Sequence, residues 1–164
     1  MSRIYISIGS NIDREKNCRT AYSELVELFG ALTISPVYES KAVGFAGDHF
    51  FNAVIACDTN LSPHEVVARL REIENRHQRD RSAPRFSSRT LDLDLLLYDD
   101  VVLVDDNLQL PRREITKNAF VLAPLADLVP AALHPSLQRC YADMWRDFDR
   151  ASQPLWRVPF EWAA

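Results

Sequence analysis

The chain has 164 residues, enough for one domain with a substantial core and short for two. Hydrophobic residues at 47% and charged residues at 26% are ordinary for a globular protein, and a formal net charge of -4 argues against nucleic acid as the main partner. No apolar run approaches a membrane span, and the amino terminus enters strand-like alternation without the apolar block of a signal peptide, so a cytoplasmic monomer with small-molecule partners is expected. Cys18, Cys57 and Cys140 are odd in number and lack metal-ligand spacing, which favours reduced thiols over disulfides or a zinc site.

Residues 3 to 8 alternate, with β-branched and aromatic members, and predict a strand that stops at a turn, Gly9-Ser10-Asn11. Asp13 then offers an N-cap, and Ala21, Leu25, Leu28 and Phe29 recur at helical spacing as far as Gly30. Residues 31 to 40 predict a second strand, with Pro36 marking an edge or a bulge. Beyond a loop around Gly44 and Gly47, residues 51 to 58 predict a third strand, antiparallel to the second. Ser62 as N-cap, Pro63 at the first helical position and Glu65 at the third announce a helix whose apolar stripe is Val66, Val67, Leu70 and Ile73. The segment 79 to 90 has no apolar periodicity and reads as a loop feeding a strand over 91 to 97. Asp99-Asp100 predicts a turn from which 101 to 104 pairs back as a hairpin. Two short helices, 118 to 128 and 137 to 148, follow, and 153 to 164 reads as an irregular tail lying on the body. The sum is one α+β domain spanning 1–164. It has a ferredoxin-like β-α-β-β-α-β core with a mainly antiparallel sheet, an extra hairpin strand and C-terminal helices.

Leu91, Leu93 and Leu95 alternate with Asp92 and Asp94, so a period-two strand puts both carboxylates on one face, Cα atoms roughly 6.5 to 7 Å apart. Asp is depleted from strands and like charges side by side repel, a conflict that oxygen-seeking divalent cations remove. The plainer reading is a solvated face whose aspartates keep an edge from pairing with another chain. Arg69, Arg71, Arg76, Arg79, Arg81, Arg85 and Arg89 precede the acids within a short stretch. Guanidinium groups concentrated beside paired carboxylates suit an anion that arrives with its metal, such as a polyphosphate. His77 and His134 have no carboxylate or histidine at metal-ligand spacing and read as surface or capping residues.

Ile8-Gly9-Ser10-Asn11, Phe51-Asn52-Ala53, Ile73-Glu74, Arg89-Thr90-Leu91-Asp92-Leu93-Asp94, Pro111, Phe120 and Pro124-Leu125 together cover nearly the whole chain. In this order they resemble the 6-hydroxymethyl-7,8-dihydropterin pyrophosphokinases (2-amino-4-hydroxy-6-hydroxymethyldihydropteridine diphosphokinases) of folate synthesis. The resemblance implies that ATP donates its β,γ-diphosphoryl group to the hydroxymethyl oxygen of the pterin and leaves as AMP, an in-line displacement. It implies two Mg²⁺ ions on Asp92 and Asp94, and Arg79 and Arg89 on the transferring phosphates. Arg81 and Arg85 fall where the family has a mobile basic loop that closes over the reactants, and Glu74, Leu95 and Arg112 fall on the nucleotide side. The pterin is expected between Phe120 and Phe86, its edge read by Asn52, with Ser40, Val43 and Phe50 lining the pocket. The residues alone leave Phe120 open to a core role and Asn52 to ending a hydrogen-bond ladder.

The departures from the family pattern lie mostly on the nucleotide side. Arg112 stands where His is usual, Asn118 where a basic residue is common, and Asn107 and Gln109 replace polar or basic groups. Phe86 and Phe50 stand where Trp and Tyr are frequent, keeping ring surface and losing a hydrogen-bonding tip. Two further readings follow: a paralogue with a shifted pterin substrate, and a non-catalytic pterin- or nucleotide-binding protein. An RNA-binding ferredoxin-like domain is disfavoured, because no strand carries the aromatic pattern it needs.

Overall fold

Ile4, Ile6 and Ile8 project from one side of the first strand, β1 (Ser2–Ser10), and set the two layers of the computed structural model, which describes residues 1–41, 48–77 and 91–163. Then come α1 (Arg14–Phe29), β2 (Thr33–Ile34), β3 (Val37–Ser40), β4 (Phe50–Thr59), α2 (Pro63–His77) and β5 (Asp92–Tyr98). The sheet runs β5-β1-β4-β3 with β2 also on β4, and each of these pairs is antiparallel. This is the expected α+β core, with the second strand split at Pro36. Ser35 bridges the split, its amide donating to the Val54 carbonyl at 3.0 Å and its Oγ accepting from the Val54 amide at 2.9 Å.

One face is covered mainly by α1 and α2. The three isoleucines, Phe51, Ala53, Ile55 and Cys57 of β4, and Leu91, Leu93 and Leu95 meet Cys18, Ala21 and Leu25 of α1 and Val66, Leu70 and Ile73 of α2. The start of α2 is the reciprocal capping box the sequence announces: the Glu65 amide donates to Ser62 Oγ and the Ser62 amide to Glu65 Oε1, both at 3.3 Å. Asp13 precedes α1 in a left-handed conformation (φ 42°) and its side chain caps nothing, whereas Gly30 closes the helix at φ 81° with its amide on the Val26 carbonyl. Burial pushes the Cys18 thiol up to about 12 and the Cys57 thiol up to about 11, consistent with inert, unpaired cysteines.

The opposite face is covered only in part. α3 (Glu114–Lys117), α4 (Ala119–Leu128) and α5 (Tyr141–Arg146) bring Ile115, Val121, Leu122, Leu125, Tyr141 and Met144 against Val54, Leu96 and Leu97. A bulge in β5 makes this possible. Tyr5 faces Leu97 and Ile6 faces Leu95, so Leu96 is the extra residue, and the leucine run switches sides there.

Several sequence expectations need correction. Gly9 and Ser10 are the end of β1 rather than a turn, since Gly9 pairs with both Asn52 and Asp92. Residues 101 to 104 do not pair back on β5; β6 (Leu103–Val104) pairs with β7 (Gln109–Leu110) in a separate two-stranded sheet, because Asp105 organises the turn by accepting the Asn107 and Leu108 amides. The helix expected over 137 to 148 is confined to α5. His134 Nδ1, buried, instead accepts the Ser136 and Leu137 amides in the preceding turn, so the capping role fits and the surface role does not. The tail is not irregular throughout: β8 (Leu155–Val158) adds antiparallel to the outer edge of β3.

Candidate active site

Strand register assembles the half-open face. One row crosses five strands: Arg157 of β8, Tyr38 of β3, Asn52 of β4, Gly9 of β1 and Asp92 of β5. Beside it, Leu155, Ser40 and Phe50 form a row on one flank, and Val54, Ser7 and Asp94 a row on the other. Asp92 and Asp94 therefore share this face, as the alternation predicts, and both are half-buried.

The row explains the glycine. A Cβ on Gly9 would lie 2.8 Å from Asn52 Oδ1, so only glycine lets the buried Asn52 amide lie across β1 towards the acids. The other end of that amide is fixed, since Asn52 Nδ2 donates to Ser40 Oγ at 3.1 Å. Phe120, on α4, packs half-buried at the border of the second core cluster, so a core role and a pocket role are compatible.

The acidic end is electrostatically loaded. Glu74 of α2 reaches the edge strand and accepts the Leu93 amide at 2.9 Å. Burial pushes its carboxyl up to about 7; the Leu93 amide pulls the other way, and the charges of Asp94 and Asp92 add to the rise. Arg112 Nη2 lies 3.4 Å from Asp94 Oδ1, and its Nε lies 3.0 Å from Glu114 Oε2 but is buried without a well-aligned hydrogen bond. Leu95, expected on the nucleotide side, turns its side chain into the helix-covered core at 2% exposure, leaving only its backbone to face a ligand. Asn118 is the N-cap residue of α4 without a side-chain cap, and Asn107 and Gln109 lie in the β6–β7 hairpin. Arg79, Arg81, Arg85, Phe86, Arg89 and Val43 lie outside the described residues.

Among the described residues no group of three or more His, Cys, Asp and Glu side chains is arranged to hold a metal. Two carboxylates nevertheless fit Mg²⁺, which takes one or two from the protein and fills its sphere with phosphate oxygens and water. Also among the described residues, no helix is long and apolar enough to cross a membrane.

His77 is nearly enclosed and bridges Asn17 Oδ1 (3.0 Å) and Glu24 Oε2 (2.9 Å) of α1, which ties the two helices together and removes the surface reading. Sequence reasoning missed the Tyr38–Asp127–Arg157 and Arg14–Glu39–Trp156 networks beside Ser40. The alternation Leu155-Trp156-Arg157-Val158 was the available signal for the strand that carries both.

Paired acids and an amide–hydroxyl pair on one half-open sheet face are the kind of convergent polar groups that an enzyme uses. The chain belongs to the 7,8-dihydro-6-hydroxymethylpterin-pyrophosphokinase (HPPK) family, which it matches over residues 5–130. It is 34% identical over 137 residues to the 2-amino-4-hydroxy-6-hydroxymethyldihydropteridine pyrophosphokinase of Aquifex aeolicus, covering 82% of this chain and 85% of that one. It is 37% identical over 135 residues to the enzyme of the same name from Pseudomonas aeruginosa, covering 79% and 82%. The wild-type HPPK-DHPS of Plasmodium falciparum with SDX-DHP superposes with a TM-score of 0.67 at 14% identity, a likeness of fold. It covers 89% of this chain, and this chain spans less than half, 43%, of that longer one.

Two predictions follow from the geometry. Gly9→Ala is expected to cost about 1–3 kcal/mol in urea unfolding and, in a crystal structure, to swing the Asn52 amide off Ser40; an unmoved amide would refute the packing argument. Glu74 has its folded pKa raised above the ordinary value, so the folded state holds this proton more tightly than the unfolded one. Its share of stability is complete below about 4.5 and lost as pH rises through about 7, on the order of 3 kcal/mol at most. Metal-free Glu74→Gln keeps an acceptor for Leu93 and should lack that decline in denaturation series across this window.

Proposed function

We propose that the protein transfers the β,γ-diphosphoryl group of ATP to the hydroxymethyl oxygen of 6-hydroxymethyl-7,8-dihydropterin, releasing AMP, in folate biosynthesis. The single observation that carries this reading is the row that sets Asn52, Gly9 and Asp92 side by side, with Asp94 one row away. An amide that can read a heterocycle's edge thus adjoins a carboxylate pair suited to a metal-bound polyphosphate.

Asn52, held by Ser40, orients the pterin, and Phe120 with Phe86 offers ring faces to stack on. Phe50 closes the side of the pocket, together with Val43. Asp92 and Asp94 would hold two Mg²⁺ ions, which would neutralise charge on the phosphates and favour an alkoxide-like acceptor. The acceptor oxygen bonds to the β-phosphorus as the bond to the α,β-bridging oxygen breaks; AMP departs with that oxygen, and the hydroxyl proton passes to solvent water. Arg79 and Arg89 steady the transferring phosphates, while Arg81 and Arg85 help exclude water as a competing acceptor. Glu74 fixes the edge strand that bears the acids through the Leu93 amide.

Arg112 compensates for the absent basic group at Asn118. Its guanidinium already lies beside Asp94, where a planar fork suits a phosphate as well as a carboxylate.

Purified protein incubated with ATP, Mg²⁺ and 6-hydroxymethyl-7,8-dihydropterin should form AMP only when the pterin is present. Asp92→Asn and Asp94→Asn should each lower the rate by about 100-fold or more, as loss of a metal-holding charge does. ADP in place of AMP, or no pterin dependence, would sink the reading. Titration with a non-hydrolysable ATP analogue and Mg²⁺ should show Arg112→Ala binding several-fold more weakly; equal affinity would remove Arg112 from the nucleotide site.

A further inference from the structure

Residues 131 to 164 follow the part of the chain that matches the family, yet they supply a strand against which the acceptor side of the pocket is built. β3 has only four residues, and Ser40, which fixes the Asn52 amide, is the last of them. A strand so short frays at a bare edge. β8 covers that edge, with Leu155 directly opposite Ser40.

Alternation sends the next two residues of β8 to opposite faces. On the helix-covered side, Trp156 Nε1 donates to Glu39 Oε2 at 2.7 Å, and Glu39 Oε1 pairs with Arg14 at 2.6 Å. Arg14 in turn donates to the His49 carbonyl at 2.9 Å and sits 3.9 Å over the Phe51 ring. Asn11 Nδ2 holds the neighbouring Asp48 carbonyl at 3.0 Å, so the chain entering Phe50 is gripped at two successive carbonyls. On the open side, Arg157 Nε donates to the Tyr38 hydroxyl at 3.1 Å and its Nη2 to Asp127 Oδ1 at 2.7 Å, while Tyr38 donates to Asp127 Oδ2. That triangle clamps β3 to α4, the helix that carries Phe120.

We infer that β8 is a positioning strand for the acceptor pocket, with Trp156 and Arg157 as positioning residues that hold Ser40, Phe50 and Asn52 in place. The inference rests on the pterin reading above. Its signature is asymmetry: β8 lies at one edge of the sheet and the acids lie on β5 at the other, so the acceptor should suffer and the nucleotide should not.

The test is calorimetric binding to the full chain. 6-Hydroxymethylpterin is titrated in the presence of Mg²⁺ and a non-hydrolysable ATP analogue, and the analogue is titrated alone. Trp156→Ala and Arg157→Ala should weaken pterin binding by about tenfold each, the scale of one lost positioning hydrogen bond, and leave the analogue within about twofold. Arg157→Lys should recover part of the loss. Val67→Ala, which loosens α2 packing away from β3, serves as the control: it should lower the melting temperature and leave pterin affinity unchanged. Should an alanine variant unfold, Trp156→Phe, which keeps the ring and drops the indole N–H, carries the same comparison. Unchanged pterin affinity in these variants, an equal loss for the analogue, or an equal loss in Val67→Ala would overturn the inference alone. A wild type that binds the analogue and no pterin would overturn the acceptor reading and this inference together.

Discussion

A single break in the alternation of β5 governs the site. Leu91, Leu93 and Leu95 are fully withdrawn against α1 and α2, and each buried leucine contributes about 1.5–3 kcal/mol. Repulsion between neighbouring like charges on a sheet face is on the scale of about 0.2–1 kcal/mol. The leucines win, and the register that buries them forces Asp92 and Asp94 onto the other face. Without the bulge at Leu96 the same alternation would carry Leu97 to the helix-covered side. With it, Leu96 and Leu97 both enter the cluster under α4 and close the polar strip after two acids. The acid pair is thus bounded by core at one end, and Glu74 takes the Leu93 amide between the two acids.

Charge in that strip is balanced unevenly. Glu74 gives up part of its acidity to burial and keeps its place by accepting an edge-strand amide that the sheet leaves unused. Asp94 meets Arg112, which also leans towards Glu114, so one guanidinium is shared between two carboxylates. Screening limits what such partly exposed pairs contribute to stability. They favour instead a site where added positive charge is welcome, and the arginines at 79, 81, 85 and 89 adjoin it in the chain.

Where apolar periodicity was decided by burial on one face, the sequence was readable: the β1 isoleucines, the α2 stripe with its capping box and the β5 leucines all fall where their spacing puts them. It was opaque where a long-range partner decides the outcome. Gly9 looks like a turn glycine because nothing local reveals that an asparagine 43 positions away needs its missing Cβ. The β6–β7 hairpin depends on Asp105 taking two amides, a choice invisible next to the equally turn-prone Asp99-Asp100. β8 is rich in Trp and Pro, which reads as irregular until the free edge of β3 is known to lie beside it. In the candidate site, the shared face of Asp92 and Asp94 was legible from alternation. Leu95 was placed by motif alone, and alternation sends its side chain to the core and leaves its backbone at the site.

The position of Arg112 has a structural cause that precedes its chemistry. Its backbone amide donates to the Leu96 carbonyl at 2.9 Å, and Leu96 is the bulged residue that the β1 ladder leaves without an opposite partner. The bulge therefore docks the segment after β7 onto β5, and whatever side chain stands at 112 arrives within reach of Asp94. A histidine there would carry a charge that varies across physiological pH, whereas arginine supplies a fixed one in a planar fork suited to carboxylate or phosphate. The substitution leaves the scaffold untouched, since the docking bond belongs to the backbone. What it alters is the standing charge beside Asp94, which a guanidinium holds positive at every physiological pH.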